Sequence, residues 1–587
     1  MNMRWNLDDL YTSFESAEFL ADFEAVKKEV AHDCAWAEEN FASKDDAGSK
    51  IEAFINKENN SKLLQKLSSY ASLTRSVDES NEAAKKYSDQ LRIIFAETAK
   101  PSVLFRSYVA SIENLDELIE SSPTLKEHEF LLKEIANRSA YLLSEKEEVA
   151  IAKMRNTGSN AWLDMKDQLL ATMKIPVMVE GEEKILPLPA VRNLANDANP
   201  ETRKTAYFAE LKAYETVDKA AAGALNAIKG EVWTQVGMRG YESPIHMTLV
   251  NSRLQKETLD SMLSAMEDFL PAFRKFFRKK AEMLGYKNGL PFYELFAPVG
   301  SVKMKFSYEE AKDFIIEHFT TYSKKMGDFA KMVYENNWID AEVREGKRGG
   351  AFCSNLHTIG QSRIMANFDG SFTNVTTLAH ELGHAYHGEC LKDLPWLKTT
   401  YTMPIAETAS NFCETIITDA AIKKANGDEK MAILEAEISD AAQVIVDIYS
   451  RYLFESRFFE KRQQGPLSVA EINELMLGAQ KDAYGDGLDP EYLHPYMWVN
   501  KPHYYYAGLN FYNFPYAYGL LFSKGLYAQY LTEGDSFALK YDKLLAATGS
   551  NSLEDVGDLA GIDVRNKEFW VNSLKLIEAN IEEFCKG

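Results

Sequence analysis

The 587-residue sequence predicts a mostly α-helical protein with a small β-sheet beside one central helix. Three observations carry that expectation. Apolar residues recur at helical spacing along most of the chain. Residues 175–188 form the clearest hairpin pattern, two apolar runs around a polar Glu180-Gly181-Glu182-Glu183 centre. Two short strand-like runs, 351–356 and 362–368, then lead directly into a helix bearing a dense polar motif. The length exceeds what a single core serves, so two or more lobes follow.

Taken in order, Ala17 to Lys44, Ser49 to Val77 and Ser80 to Ala99 read as helices, with Pro101 breaking the pattern. Helices continue from Ser107 to Asn156, then the hairpin, then helices again from Asn199, with a strong stretch from Lys256 to Leu284. Residues 286–291 are a turn, and Lys347-Arg348-Gly349-Gly350 is a glycine loop that serves either as an ordinary turn or as a place of close backbone approach. The run Ser362 to Phe368 is the candidate edge strand for pairing with an extended peptide, although a plain structural strand reads the same way. A turn at Gly370-Ser371-Phe372-Thr373 supplies N-cap hydroxyls for a helix near 374–388, with Gly388 as its terminator. Pro404 opens another helix near 404–424. The domain division expected is a helical region over 1–190 and a second unit over 191–587.

Composition is that of an ordinary globular protein, 45% hydrophobic and 26% charged. A formal charge of −22 disfavours nucleic-acid and anionic-membrane partners. Five widely spread cysteines do not form a disulfide framework. The N-terminal sequence lacks a signal pattern, and no apolar run approaches the ~20 residues that span a bilayer. A reduced, cytoplasmic protein is the expectation, with its oligomeric state open.

The motif is His380-Glu381-Leu382-Gly383-His384. Imidazoles four apart lie on one helix face and can share one zinc ion, while the adjacent Glu381 is free to act as a base toward water. Val375, Leu378, Ala379, Leu382 and Ala385 recur as a core-facing stripe, with His380, His384 and His387 on the neighbouring one. A catalytic zinc usually has three protein ligands and one open position. His387 is disfavoured, because residues seven apart lie roughly 10 Å apart along a helix axis. The row Glu407, Asn411, Glu414 and Thr418 offers a carboxylate ligand and a hydrogen-bond partner for a ligand histidine. A solvent-facing acidic stripe fits the same spacing.

The stretches HELGHAYH and PIAETASNFCE, with Glu407, Ser410 and Glu414 in an E-x-x-S-x-x-x-E context, resemble the oligoendopeptidase F branch of the thimet-oligopeptidase-like zinc peptidases. Trp5-Asn6-Leu7-Asp8-Asp9-Leu10-Tyr11, residues 346–352, Ala366-Asn367-Phe368 and the tyrosine-rich block after Pro502 are similar too, so the likeness covers essentially the whole chain. It implies a two-lobed helical clamshell enclosing a deep channel, one Zn2+ per chain on His380, His384 and Glu407, and endopeptidase action on short unstructured oligopeptides. It further implies that His503 and, nine residues on, Tyr512 point at the substrate carbonyl. Tyr505, Tyr506 and Tyr516 become candidate substrate contacts; a family tyrosine between these positions falls on Gly508 here. Without the likeness, a tyrosine-rich stretch is more often core or interface.

Three other readings share parts of this pattern. A zinc exopeptidase fails on peptides blocked at both ends, and a hydrolase of non-peptide amides is inactive on peptides. A helical peptide-binding scaffold with structural zinc would close the fourth position and favour cysteine ligands.

Overall fold

The computed structural model describes residues 2–300 and 304–586. Helices dominate, and the described strands form one hairpin and one three-stranded sheet. In the hairpin, β1 (Ile175–Val179) pairs antiparallel with β2 (Glu182–Leu186). Glu180 and Gly181 both take positive φ, 55° and 83°, the backbone of a two-residue turn that follows the twist of its strands.

The N-terminal helices break where local chemistry competes with the helix. The first runs Ala17–Asn40. The stretch expected as one helix over 49–77 is two, Ala47–Asn60 and Leu63–Val77. Asn59, at the end of the first, accepts from Leu397 N at 3.0 Å and meets His128 Nε2 at 3.1 Å, which ties it to neighbouring elements. Pro101 breaks nothing: it sits in the first turn of Ala99–Ala110, where its missing N–H is no loss. The interruption falls at Thr98 instead.

The sheet order is β3 (Ile339–Asp340), β5 (Gln361–Met365), β4 (Phe352–Leu356). This corrects the expected edge. Residues 362–368 lead the central strand, with Ile364 N and Ala366 N donating to Trp338 O and Asp340 O on one side and Phe352–Leu356 paired on the other. Both hydrogen-bonding rows of β5 are used, and Ser362 to Ala366 are buried. The open edge belongs to β4. The N-terminal segment fixes β5 from outside: Arg363, fully buried, donates to Asn6 O at 2.8 Å and to Asp9 at 3.1 Å. That accounts for the Trp5–Tyr11 motif. In the glycine loop the Lys347 side chain is enclosed and donates to the carbonyls of Asp340, Glu342 and Ala366. Among the described residues, a Cβ on Gly349 or Gly350 meets nothing within 4 Å, so no close approach within the chain requires either glycine.

The motif helix spans Phe372–Leu391, capped by Ser371 Oγ accepting from Asn374 N. Its predicted core stripe is fully buried. Gly388 does not end it. A Cβ there would come within 2.4 Å of the Asn355 side chain, so the glycine admits β4 against the helix. The helix expected over 404–424 is two pieces, Met403–Ala406 and Thr408–Lys424, with Glu407 at the joint (φ −91°, ψ 4°).

The largest core runs from Val232 to Phe584 and contains the buried sides of these helices. A second joins Leu170–Ile228 to Phe454–Tyr505. Two further cores serve the N-terminal helices, one of them reaching Leu356 of β4. Among the described residues, no helix is long and apolar enough to cross a membrane.

Candidate active site

Close approach of two helices builds the site. A Cβ on Gly383 would lie 2.3 Å from Ala409 O and 2.6 Å from Ser410 Cα, so only glycine lets the motif helix come this near to Thr408–Lys424. Gly519, on the helix Phe514–Glu533, allows a similar approach from the other side, where a Cβ would be 3.2 Å from Glu407 Cβ. The sequence reading assigned neither glycine a role, although glycine inside a helix is itself a signal because it costs about 1 kcal/mol against alanine.

Glu407 Oε2 lies 3.2 Å from His380 Nε2 and 3.3 Å from His384 Nε2. His380, His384 and Glu407 form a three-residue group able to hold a metal ion. Ligands of a tetrahedral zinc at about 2.0–2.1 Å stand roughly 3.3–3.4 Å apart, so this spacing fits one shared ion. Two imidazole nitrogens and a carboxylate oxygen also suit zinc chemically. Around them, Glu414 Oε2 meets His380 Nδ1 at 3.2 Å, leaving Nε2 directed to the centre. Ser410 Oγ donates to Glu407 Oε2 at 2.7 Å and steadies the carboxylate. Burial disfavours charge on His380, but the bonds to Glu407 and Glu414 outweigh it and raise its pKa to about 10. Burial likewise opposes ionised Glu407, yet the two imidazoles hold it well below the usual carboxylate range. The cluster favours positive charge held among carboxylates.

Glu381 is only 6% exposed, and its Oε2 has no hydrogen-bond partner among the described residues. Burial pushes its pKa up, against the pull of His384 and His380. His387 takes no part in the cluster: it is buried, stacked on Tyr401 at 4.3 Å and bonded to Thr548 Oγ1 at 2.8 Å.

The tyrosine block divides. His503, Tyr512 and Tyr516 form one group, with ring centroids 5.5 Å apart for His503–Tyr512 and 5.8 Å for Tyr512–Tyr516. Phe511, just before Tyr512, is held at φ 52°, a strained conformation of the kind that collects at functional sites. Burial lowers His503 to about 4, with Arg451 and Lys501 adding to the shift, so the ring is neutral near pH 7. Burial, Tyr512 and Glu407 push Tyr516 up to about 12, which keeps it a hydroxyl donor. Tyr505 does not join them. It is 1% exposed in the second core, beneath Lys166 at 4.6 Å, away from the His503 group. Tyr506 is half-buried at the end of the same turn, and Gly508 is exposed with open space around it.

Two cavities lie along the motif helix. One of about 500 Å3, toward the start of the motif helix, is bordered by His380, Glu407, Glu414 and Tyr516. Another of about 280 Å3 lies at the helix's far end, bordered by Asn355 of β4, Gly388 and Tyr401.

Comparison with known proteins sets this geometry in context. The profile described as Peptidase family M3 matches residues 193–576, and that described as Oligopeptidase F matches residues 110–175. Oligopeptidase PepF of Bacillus subtilis (strain 168) is 25% identical over 590 residues, covering 99% of this chain and 86% of that protein. The oligoendopeptidase F homolog of Lactococcus lactis subsp. lactis (strain IL1403) is 23% identical over 535 residues, covering 90% and 88%. Among solved structures, a candidate peptidase from Chlamydophila abortus superposes with a TM-score of 0.86 at 20% identity, covering 99% of this chain and 98% of that one. Oligoendopeptidase-F from Enterococcus faecium gives 0.70 at 18% identity, covering 96% and 98%. At these identities the structural likeness speaks for the fold alone.

Proposed function

The chain belongs to peptidase family M3, shown by the match over residues 193–576, and on that premise we propose that it is a zinc-dependent endopeptidase of short unstructured oligopeptides. The observation that carries the reading is the convergence of His380, His384 and Glu407 on one point beside a buried, unpartnered Glu381. The names of the relatives, oligopeptidase and oligoendopeptidase, support it.

His380, His384 and Glu407 would hold the ion, whose contribution when bound is Lewis acidity toward water and the scissile carbonyl. Glu381 takes a proton from the attacking water and delivers it to the leaving amine nitrogen. Its raised pKa suits a group that must accept a proton and then release it. Tyr512 and His503 donate to the carbonyl oxygen as it gains negative charge, an effect of about 3–4 kcal/mol for a single donor. Tyr516, bordering the same cavity as Glu407, is the second phenol of this group. The open edge of β4 pairs with substrate backbone, gripping a peptide without reading its side chains. Five free cysteines agree with a reduced, cytoplasmic setting.

A peptide blocked at both ends and quenched internally tests the reading. We expect cleavage at an internal bond, loss of activity with a chelator, and recovery on adding zinc. Metal-replete protein that leaves every such peptide intact overturns the proposal, and cleavage confined to peptides with free ends replaces it with an exopeptidase.

A further inference from the structure

A second cluster of titratable groups adjoins the catalytic one and has no part in the chemistry above. Arg192, Glu210, Asp447, His494 and Lys501 border a cavity of about 80 Å3. Gln443 borders both this cavity and the one containing His380, Glu407 and Tyr516, so the two are neighbours. Lys501 also lies two residues from His503 in the chain.

Two side chains there, His494 and Lys501, are only partly satisfied by their neighbours. His494 is 1% exposed, and neither ring nitrogen has a hydrogen-bond partner among the described residues. Its Nε2 stands 3.7 Å from Glu210 Oε1, close enough for an ion pair but long for a hydrogen bond, and the ring helps hold the Glu210 carboxyl below its usual range. The ring cannot swing to find another partner. Phe292, Tyr207 and Tyr214 surround it with centroids 5.1, 5.8 and 6.1 Å away, and the Gln480 side chain holds its backbone N–H and carbonyl. Glu210 is already committed to Arg192 Nε at 3.1 Å and the Tyr214 hydroxyl at 2.8 Å.

Charge points the same way. Arg203 is paired with Glu294 and Arg451 with Asp447, whereas Lys501 has no ion pair among the described residues. Burial, with Arg451 adding to it, pushes the Lys501 ammonium down to about 8, against the opposing pull of Asp447 and Glu210. A buried donor without a partner costs about 1–3 kcal/mol, which an arriving anion would remove.

We infer that this cavity is a subsite for a carboxylate of the bound peptide, received by the Lys501 ammonium and the His494 ring. The inference rests on the peptidase reading for the identity of the ligand. The carboxylate has two sources, the free C-terminus or an acidic side chain, and both present the same group to the same donors.

The test measures binding without turnover, using Glu381→Gln protein and three peptides of one sequence. The first has a free C-terminus and no acidic residue, the second is its C-terminal amide, and the third is the amide with one Glu introduced. At least one carboxylate-bearing peptide is expected to bind about tenfold tighter than the plain amide, and which one does so identifies the source. Adding Lys501→Met should bring that ratio within about twofold, and Lys501→Arg should restore most of it; the apolar Met stem keeps the packing. Equal binding of all three peptides overturns the inference, as does a ratio unchanged by Lys501→Met. Wild-type turnover on the same peptides separates the two readings. Selective binding with no cleavage refutes the peptidase and leaves the subsite, while cleavage with no carboxylate preference does the reverse.

Discussion

Glu381 carries an unpartnered oxygen in a buried position beside two imidazoles. Removing the carboxylate while keeping its shape should therefore harm turnover and little else. Glu381→Gln is expected to retain zinc and lower kcat by about 10²–10⁴-fold; a loss of only tenfold would assign the base elsewhere. Glu414→Gln should weaken zinc binding by about 10–100-fold, read by competition with a chelator, because it takes the partner from His380 Nδ1. His387 gives a pH signature. Burial lowers its folded pKa to about 3, so as pH falls the unfolded chain takes up the proton first. Above pH ~6.5 the ring leaves stability unchanged, and below it stability falls by about 1.4 kcal/mol per pH unit until the folded value is reached. His387→Gln should lose less Tm than wild type between pH 7 and 5; equal losses would clear the ring of responsibility. The spacing of His380, Glu381 and His384 was legible because one helix turn sets it. Glu407 obeys no such rule, since its distance from the motif depends on how two helices pack; the polar stripe on its helix made it a candidate, and the family likeness chose it over a solvent-facing reading. Within a run of tyrosines nothing local separates Tyr505 in the core from Tyr516 at the cavity.

At the scale of elements, glycines decide how near the pieces lie. Gly383→Ala should force the motif helix off its neighbour, lowering stability by about 1–3 kcal/mol and weakening zinc binding together. Thermal melts and metal titration on one preparation check both; an unchanged melt would show that the helices can yield. The β4 edge makes another demand. Peptides N-methylated at successive positions should show a several-fold rise in KM at the positions that pair with it, and a flat series would remove the strand from substrate binding. The helices and hairpin were readable from periodicity and turn chemistry. The strand order was not, because β3 is only two residues long and leaves no pattern. With its neighbour invisible, the central strand looked like an edge, though the apolar run Ile364-Met365-Ala366 already suits a strand covered on both sides. Gly388 misled for a related reason: glycine marks a helix end or a close contact, and the sequence does not say which.

Across the whole molecule, the cavity that borders His380 and Glu407 lies between packed helices. Flexible oligopeptides should therefore be cut far faster than folded proteins, and rapid degradation of a native globular protein would reject the enclosed cleft. The groups proposed for catalysis come from residues 380 to 516, and the sheet beside them is held by Asn6 and Asp9 through Arg363, a contact spanning 357 residues. A ribosome adding about 5–20 residues per second makes the first partner roughly 20–70 seconds before the second. A half-made chain thus has no working face to turn on the unfolded polypeptides around it, its own tail included. The groups proposed for catalysis follow Arg363 in the chain, so that face comes together only late in synthesis, whatever the order in which the earlier helices pack.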